Sequence, residues 1–397
     1  MIGSRIASSE KHVVVMIPYS FDFGRRMLKG VYQYSLARPN LVLHRELDEL
    51  PLERLDFGHW RVDGVIAHAS LASLANSLAE LDIPAVSTSP VLKDSPIPRI
   101  CVDSVAIGRM AADHFLERGY RSCAYLGAGD MQYVHDRHVS FTAALAKVGI
   151  TCAEYHHLIR VDEEQPGATN DPNHPIARWA AKLALPCAVF TDTDRTALFF
   201  SEVCRCVGLR VPDDIAILGV DNDEVICNLS YPPLSSVDTP AERIGYEAAR
   251  LVDRLMSGGT VPQDSRRLPP LGIVTRQSTE MFAIADEYVR QALGFIAVHA
   301  HQHLSTADVL DSVPLSRRAL EQRFHDLLGS SIHQEIRRVQ VRRVQRLLAE
   351  TPLSVEQIAK ASGFLNPKHM ARVFREAMEM TPSQYRAANQ GGPEGYE

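Results

Sequence analysis

Long apolar runs are missing from this 397-residue sequence, and so is an excess of basic charge. No uninterrupted apolar stretch approaches the roughly 18 residues that a transmembrane helix requires, and the N-terminus lacks a secretory hydrophobic region. The sequence therefore predicts a cytoplasmic protein with no membrane partner. Lysine and arginine number 42 against 48 aspartates and glutamates, a formal net charge of −6, which argues against nucleic-acid binding over the whole surface.

Spacings typical of metal or catalytic sites are also scarce. The seven cysteines are scattered singly except for Cys204 and Cys206, a pair that fits no zinc or redox motif. His299, His301 and His303 alternate, but no cysteine or carboxylate stands at a metal-ligand spacing beside them. No nucleophile and base form a catalytic motif. We therefore expect no metal, no cofactor, no catalytic residues and no enzymatic activity.

Two helix-turn-helix patterns follow each other near the C-terminus. In the first, a helix over 305–311 ends before Pro314, and a second helix begins after Ser316 as N-cap. In the second, Ser354 caps a short helix, Gly363 supplies a left-handed turn residue, and another helix begins near Asn366. The apolar residues expected to face inward on the two second helices are Leu320, Phe324, Leu327, Leu328, Met370, Val373 and Phe374.

A basic segment joins the two patterns. A continuous helix over 332–350 would be about 28 Å long at roughly 1.5 Å per residue. It could hold two recognition helices near the spacing of about 34 Å between successive major grooves. The arginines expected on or near its outer surface, where phosphate contact is favoured over a merely solvated face, are Arg337, Arg338, Arg342, Arg343 and Arg346.

Residues near the start of each second helix are the candidates for contact with double-stranded operator DNA. Arginine can bind guanine with two hydrogen bonds, and glutamine or asparagine can bind adenine in the same way. All of these residue types also suit a phosphate contact, so the sequence leaves both kinds of contact open. The candidates are Arg317, Arg318, Glu321 and Gln322 in the first pattern and Asn366, Lys368, His369 and Arg372 in the second.

The longer N-terminal part alternates strands with helices. Apolar strand segments at 12–18, 64–69, 85–88, 122–127, 187–192 and 215–221 are separated by amphipathic helical segments, which indicates parallel sheets with right-handed crossovers. Ligands of such sheets bind at the carboxyl ends of the strands. Carboxylates and guanidinium groups there can share hydrogen bonds with sugar hydroxyls, and aromatic rings can stack on the sugar. The candidates are Tyr19, Phe21, Phe23, Arg25, His68, Arg137, Asp192 and Asp221.

Charge and pattern together divide the chain. Residues 1–280 hold 28 basic against 35 acidic side chains, whereas residues 281–390 hold 14 against 11. We expect an N-terminal extension over 1–11, a domain of alternating strands and helices over 12–279, a linker and first helix over 280–298, a DNA-binding domain over 299–388 and a tail over 389–397. An acidic body would confine DNA contact to the C-terminal domain.

The C-terminal patterns carry a family resemblance. The segment 336–386 resembles the DNA-binding domain of the AraC class of bacterial activators, most specifically in its S-x-x-x-I-A, R-x-F-R and T-P-S-Q-Y-R runs. His369 and Met370 replace the usual Tyr-Phe pair, Glu379 replaces the usual glycine, and Pro314 occupies a turn where glycine is common. The resemblance implies that Met370 and Glu379 weaken the packing or the C-terminal turn of the second unit.

A second resemblance covers about residues 12–279. The run P-D-D-I-A-I-L-G-V-D-N followed by P-P-L-S-S-V is similar to the sensor domain of lac-repressor-type regulators. It implies an α/β periplasmic-binding-protein-like fold with two lobes of parallel sheets, followed here by the all-α domain with its two helix-turn-helix units. Arg137 and Asp221 align with ligand-contacting positions of that family, while Ser140 replaces its usual glycine.

The order of the two domains resembles the domain order of the bacterial xylose-operon activator family. The resemblance implies a homodimeric activator of carbohydrate utilisation genes, with xylose or a related pentose as effector and RNA polymerase as partner. Sugar in the cleft would reposition the DNA-binding domains on their half-sites. Two other classes remain open: a cytoplasmic sugar-binding or sugar-modifying protein without a DNA role, and a DNA-architectural protein.

Overall fold

The computed structural model describes residues 10–45, 62–92, 94–157, 161, 164–260, 266–280, 286–351 and 353–390. Most of the expected N-terminal extension and C-terminal tail lies outside these ranges. No helix among the described residues is long and apolar enough to cross a membrane.

Strands and helices alternate through the first 280 residues, and the rest is helical. The strands are β1 (Lys11–Met16), β2 (Leu41–Arg45), β3 (Gly64–Ala67), β4 (Ala85–Ser87), β5 (Ile100–Val102), β6 (Ser122–Ala128), β7 (Cys152–His157), β8 (Cys187–Thr191), β9 (Ile215–Asp221), β10 (Ser235–Asp238), β11 (Arg266–Leu268) and β12 (Gly272–Val274). The helices are α1 (Asp22–Leu36), α2 (Ala72–Glu80), α3 (Ser104–Glu117), α4 (Gln132–Ala146), α5 (Pro175–Ala180), α6 (Asp194–Cys206), α7 (Glu224–Leu229), α8 (Ala241–Met256), α9 (Glu287–His299), α10 (Thr306–Asp311), α11 (Arg317–Leu328), α12 (Ile332–Glu350), α13 (Val355–Ala361), α14 (Pro367–Met378) and α15 (Pro382–Gln390).

The first lobe is built on a parallel sheet in the order β2-β1-β3-β4. Its strands read as continuous apolar runs because both faces of the sheet are covered. Val13 and Val15 pack with Met27 of α1 on one face, whereas Val14 and Met16 pack with Leu78 of α2 on the other. This burial on both sides explains why the strand segments lack the alternation of a half-exposed strand.

The second lobe contains a six-stranded sheet in the order β12-β10-β9-β8-β6-β7. All neighbouring strands are parallel except β12, which runs antiparallel to β10. Strands β5 and β11 pair with each other beside the first sheet. The chain passes from the first lobe to the second after β5, returns to the first lobe after β10, and enters the second lobe again after β11. The carboxyl ends of β6, β8 and β9 therefore meet at one edge of the second sheet.

The C-terminal domain has two small cores that share the long helix α12. Val289 and Ile296 of α9 pack with Leu320 and Phe324 of α11 and with Ile336 at the start of α12. The second core joins Val344 and Leu348 of α12 to Ile358, Met370 and Phe374. Each helix-turn-helix unit is thus stabilised by its own half of α12.

The predicted fold class is confirmed: an α/β sensor of periplasmic-binding-protein type is followed by an all-α domain. The sequence patterns missed the short or edge strands β2, β5, β7, β10, β11 and β12, which carry few consecutive apolar residues. Helix α4 also begins at Gln132, one turn before the predicted start at residue 136. Leu327, expected to face inward, is 45% exposed, whereas the adjacent Leu328 packs partly buried against the first core.

Candidate functional site

Arg137 of α4 and Asp192 after β8 form the buried centre of the sensor. Both side chains are almost fully buried, and Nη1 of Arg137 donates a hydrogen bond to the backbone oxygen of Asp192. The guanidinium also lies 4.8 Å from the ring centroid of Tyr133. Within the described part of the chain, Nε of Arg137 and Oδ1 of Asp192 are buried without a hydrogen-bond partner. Because buried polar groups are normally satisfied, this pair is suited to binding a polar ligand.

Three aspartates at this sheet edge have raised pKa values. Burial raises the pKa of Asp192 to about 6, against the opposing effects of a Thr196 hydrogen bond and the Arg137 charge. Burial, reinforced by the charge of Asp221, raises the pKa of Asp194 to about 8. Burial also raises the pKa of Asp221, although Arg137 and Arg26 lower it. The cluster therefore carries less negative charge near neutral pH than its three carboxyl groups imply.

The loop after β9 adopts an uncommon backbone conformation. Asp221 and the following Asn222 both have positive φ, 107° and 54°, which is rare for residues other than glycine. Arg276 holds this loop, since its Nη2 donates to Oδ1 of Asn222 (2.9 Å), its Nε to Oδ1 of Asn228 (2.9 Å) and its Nη1 to the backbone oxygen of Leu234 (2.9 Å). A strained loop that is held by several hydrogen bonds is typical of a binding site.

Arg195 and Arg26 make contacts that cross between the two lobes. The guanidinium of Arg195, at the start of α6, lies 4.3 Å from the ring centroid of Phe21, which precedes α1. Arg26 of α1 donates to the backbone oxygen of Asp221 (3.0 Å) and forms an ion pair with Asp238 (2.9 Å) at the end of β10. Side chains from both lobes therefore meet beside Asp221, whose charge acts on Asp192 and which is itself affected by Arg137. The region between the lobes around these three residues is called the cleft below.

The other predicted residues of the first lobe form two pairs. Phe23 lies edge-to-face against His68, with ring centroids 6.3 Å apart, and burial lowers the pKa of His68 to about 4, so that this imidazole is neutral. Nδ1 of His68 is 3.1 Å from Oγ1 of Thr88. Tyr19 is 44% exposed, and the exposed Arg25 donates to the backbone oxygen of Tyr19 (3.1 Å). Tyr19, in the loop before α1, and Arg25, in the first turn of α1, thus lie at the accessible surface rather than in the buried centre.

Four residues near the cleft were missed as candidates from the sequence: Arg26, Asp194, Arg195 and Arg276. The last three lie inside runs that resemble the lac-repressor-type sensors, F190-TDTDRTA and R276-QST, so those runs were the available signal. Arg26 directly follows the candidate Arg25 within α1 and faces the second lobe instead. A helix turns by about 100° per residue, so adjacent arginines point in different directions.

The first recognition helix, α11, presents a basic surface at its start. Ser316 caps the helix by accepting a hydrogen bond from the backbone of Ala319 (3.3 Å), and Arg317, Arg318 and Gln322 are exposed. Glu321 is half-buried, and its carboxylate faces the backbone N–H of Ile332 at the start of α12 (3.4 Å). Glu321 therefore has a structural contact within the domain, while its three neighbours are available to DNA.

The second recognition helix, α14, has fewer candidates that are available. Lys368 and Arg372 are exposed, whereas Oδ1 of Asn366 accepts the backbone N–H of His369 (2.7 Å) as the helix cap. His369 is half-buried against Phe364, and its Nε2 accepts a hydrogen bond from Arg337 of α12 (3.3 Å). Burial and the nearby Arg337 and Arg372 charges lower the pKa of His369. This histidine packs the second unit against α12.

The prediction that all five arginines of α12 lie at its outer surface is corrected for two of them. Arg337 is half-buried, with its guanidinium 5.4 Å from the ring centroid of Phe364, and Nε of Arg343 donates to the backbone oxygen of Ala361 (2.6 Å). Both side chains belong to α12 and contact residues of the second helix-turn-helix unit. Arg338 is exposed, as predicted, whereas the side chains of Arg342 and Arg346 lie outside the described residues.

The chain that joins the two domains is anchored on both sides of 281–285. Thr279 is fully buried in the second lobe, where its Oγ1 lies 2.9 Å from Nε2 of His114 and its backbone oxygen accepts a hydrogen bond from Arg118 (2.8 Å). On the other side, Asp286 caps α9 and forms an ion pair with Arg323 of α11. The end of the sensor and the first recognition helix are thus each tied to the connecting segment.

Comparison with known proteins agrees with this architecture. A periplasmic binding protein-like domain family matches residues 112–279, and a helix-turn-helix domain family matches residues 310–388. The xylose operon regulatory protein of Escherichia coli strain K12 is 30% identical over 375 residues, which cover 92% of this chain and 94% of that protein. The protein of the same name from Haemophilus influenzae is 27% identical over 92% of this chain and 95% of its own length.

A solved structure also matches along nearly the whole chain. The structure described as the xylose-binding transcription activator xylR has a TM-score of 0.62 and 27% sequence identity. The match covers 96% of this chain and 99% of that one, so both domains and their order are shared.

Proposed function

Because this chain belongs to the family of xylose operon regulatory proteins and is a sugar-responsive helix-turn-helix transcription regulator, we propose that its effector is xylose or a related pentose. We further propose that it is a cytoplasmic, non-enzymatic activator of carbohydrate utilisation genes. The observation that carries the sugar assignment is the buried pair of unsatisfied polar atoms, Nε of Arg137 and Oδ1 of Asp192.

The sugar would be held from both lobes. Arg137 would donate to a sugar oxygen, and Asp192 would accept hydrogen bonds from hydroxyl groups. Asp221 lies at the same sheet edge, and Phe21 lies across the cleft beneath Arg195. Because such a ligand contacts both lobes, binding would favour one relative arrangement of the lobes over others.

The described contacts offer a route from this cleft to DNA. Arg137 and Asp192 belong to the second lobe, which also anchors Thr279 through His114 and Arg118. A change in the lobe arrangement would therefore move the start of the connecting segment. Asp286 passes this movement to α11 through its ion pair with Arg323. Sugar binding would in this way reposition the recognition helices on their half-sites.

The sugar assignment is tested by a thermal-shift and calorimetric screen of pentoses and hexoses on the full chain. Xylose or a related pentose is expected to raise the melting temperature, since a ligand that binds only the folded state stabilises it. Arg137→Ala should abolish this shift, whereas Arg210→Ala, an exposed arginine of the same lobe that pairs with Asp214, should retain it. An unchanged response in Arg137→Ala would remove Arg137 from the site.

The raised pKa of Asp192 gives the screen a pH signature. The ionised carboxylate is the better acceptor for sugar hydroxyls, so affinity should be highest well above pH 6 and fall as pH decreases through about 6. Asp192→Asn, whose amide oxygen still accepts hydrogen bonds but does not titrate, should bind with little dependence on pH in this range. A wild-type affinity that is constant between pH 5 and pH 8 would exclude direct contact by an ionised Asp192.

The protein is further proposed to form a homodimer and to recruit RNA polymerase. Val225 and Leu229 of α7 and the following Tyr231 are 62%, 82% and 82% exposed, an apolar group that a second copy could cover. A two-fold dimer would also match paired DNA half-sites. Light scattering should give twice the chain mass, and transcription with purified RNA polymerase should increase when the sugar is added. A DNA-binding assay at moderate salt that finds no operator complex with any sugar would reject the regulator function.

A further inference from the structure

The edge strand β7 carries metal-ligating side chains that belong to neither of the sites described above. Glu154 and His156 alternate along the strand and therefore project from the same face. His138 reaches this face from α4. One ligand atom of each of the three side chains lies within 4.8 Å of those of the other two.

The packing around these residues leaves room for the imidazoles. Gly127 pairs with His156 across β6 and β7, and a side chain at that position would approach Nδ1 of His156 to 3.3 Å. The ring of Tyr125 lies behind both histidines, with centroid distances of 5.0 Å to His138 and 5.8 Å to His156. The two imidazoles meet edge-to-face at 4.7 Å. A glycine and an aromatic ring thus position two imidazoles beside a carboxylate.

The polar atoms of this cluster are poorly satisfied by the protein itself. Nε2 of His138 lies against Oε2 of Glu154, yet this contact lacks hydrogen-bond geometry. Among the described residues, the buried Nε2 has no hydrogen-bond partner. A buried imidazole nitrogen and a carboxylate oxygen that approach each other closely without hydrogen-bond geometry suit a shared cation.

The opposite face of β7 provides an internal contrast. There His157 and His174 both contact Oε1 of Glu164, and these three side chains also lie within reach of one ion. However, Nδ1 of His174 accepts the backbone N–H of Ile176 (3.2 Å), which leaves the ring proton on Nε2 to be donated to Glu164. Zinc-bound histidines normally donate from their second nitrogen. This second cluster is therefore satisfied by hydrogen bonds.

We propose that His138, Glu154 and His156 bind a divalent transition-metal ion of the zinc class. Two imidazole nitrogens and one carboxylate oxygen form a donor set that zinc accepts, with water in the fourth position. The exposure of Glu154 and His156 leaves that position open to solvent. The bound ion ties α4 to the sheet edge, and His138 directly follows Arg137, so the ion fixes the helix that carries the proposed sugar contact.

The site is tested on the full chain after treatment with a chelator. Titration with Zn²⁺ against a fluorescent competitor should give one site per chain, and Co²⁺ should produce the visible absorption of a four-coordinate ion. His156→Ala and Glu154→Gln should each weaken binding by at least about tenfold, since each removes one of three ligands. Zn²⁺ should also raise the melting temperature of the wild type and of neither variant.

The matched control is His174→Asn, which removes an imidazole from the opposite face while asparagine still caps α5. Zn²⁺ affinity should be unchanged in this variant. The proposal is overturned if the wild type binds no stoichiometric metal, if His156→Ala and Glu154→Gln bind as tightly as the wild type, or if His174→Asn weakens binding as much as they do. The readout is metal affinity, so it does not depend on the identity of the sugar.

Discussion

The two helix-turn-helix units share a plan but differ in how their turns are made. In each, a serine caps the first helix through a capping box, Ser305 with Asp308 and Ser354 with Gln357. A helix with a capping box or a similar arrangement also follows each recognition helix: Ser331 pairs with Gln334, and Thr381 with Gln384. The same capping hydrogen bonds therefore begin the corresponding helices of both units, although other residues of the two units differ.

The difference lies in which turn uses a glycine. The first unit has Pro314 in its internal turn and ends its recognition helix with Gly329, at φ 66°. The second unit has Gly363, at φ 73°, in its internal turn and ends its recognition helix with Glu379, at φ 58°. Left-handed backbone is cheap for glycine and costly for glutamate. The second unit thus gains a tight internal turn and carries a strained helix end.

The largest effect is expected at Gly363. A methyl group there would lie 2.1 Å from the backbone oxygen of Gln302 and 2.6 Å from that of Ala300, so Gly363→Ala should cost about 3 kcal/mol or more. Gly329→Ala, where nothing lies within 4 Å, should cost only about 1 kcal/mol. Hydrogen exchange followed by mass spectrometry should show lost protection in α13 and α14 for the first variant only. Equal losses would mean that the close approach of backbones is unimportant.

A smaller difference is expected between the DNA contacts of the two units. Arg318 and Lys368 are both exposed near the start of their helices, but only arginine can bind guanine with two hydrogen bonds. Arg318→Ala should weaken operator binding roughly tenfold and relax base preference, whereas Lys368→Ala should weaken it a few-fold for all sequences and reduce its salt dependence. Binding titrations at several salt concentrations, with specific and unrelated DNA, separate these outcomes. The reverse ranking would make the second unit the principal reader.

The smallest effect concerns Glu379. Glu379→Gly should stabilise the second unit by about 0.5–1 kcal/mol, because glycine adopts the left-handed conformation without the Cβ penalty. The matched change Gly329→Glu should destabilise the first unit by a similar amount. Local hydrogen exchange measures both. A neutral result at Glu379 would show that the backbone there relaxes when glutamate occupies it.

Met370, by contrast, gives no sign of weakening the second unit. Its side chain is fully buried beside Phe374, and methionine fills irregular core space readily. The other departure from the family pattern, His369, has gained a structural contact with Arg337. The expectation that the second unit packs more weakly therefore rests on Glu379 alone.

Local signals made most of the C-terminal domain predictable. Helix α12 spans the predicted 332–350, Ser316 and Ser354 are the predicted caps, and Gly363 is the predicted turn residue. The last recognition helix begins beside Asn366, as predicted. Caps and left-handed turns depend on residues within about four positions of each other, so a linear pattern contains them. Continuous apolar runs likewise predicted the buried strands β1, β3, β4, β6, β8 and β9.

The candidate sites were predictable only in part. Residues that follow strongly apolar strands, such as Arg137, Asp192 and Asp221, could be named because parallel strands bring their carboxyl ends together. Arg276 could not be placed beside Asn222 in the same way, because the two are separated by 54 residues and joined only through the fold. His138, Glu154 and His156 show no metal spacing in sequence, since one ligand comes from a helix and two from an edge strand.

Short-range signals predicted the order of the two domains, the helices of the C-terminal domain with their caps and turns, and the strongly apolar strands of the sensor. These features depend on neighbouring residues and on local hydrogen bonds. Which charged groups meet, and which are removed from water, depends on the folding of the chain in three dimensions. Arg337 and Arg343 of α12 donate hydrogen bonds to His369 and to the backbone oxygen of Ala361 in the second unit, and burial raises the pKa of Asp192. The reason is physical: desolvation and pairing depend on the distance between atoms in space, which residue spacing along the chain does not specify.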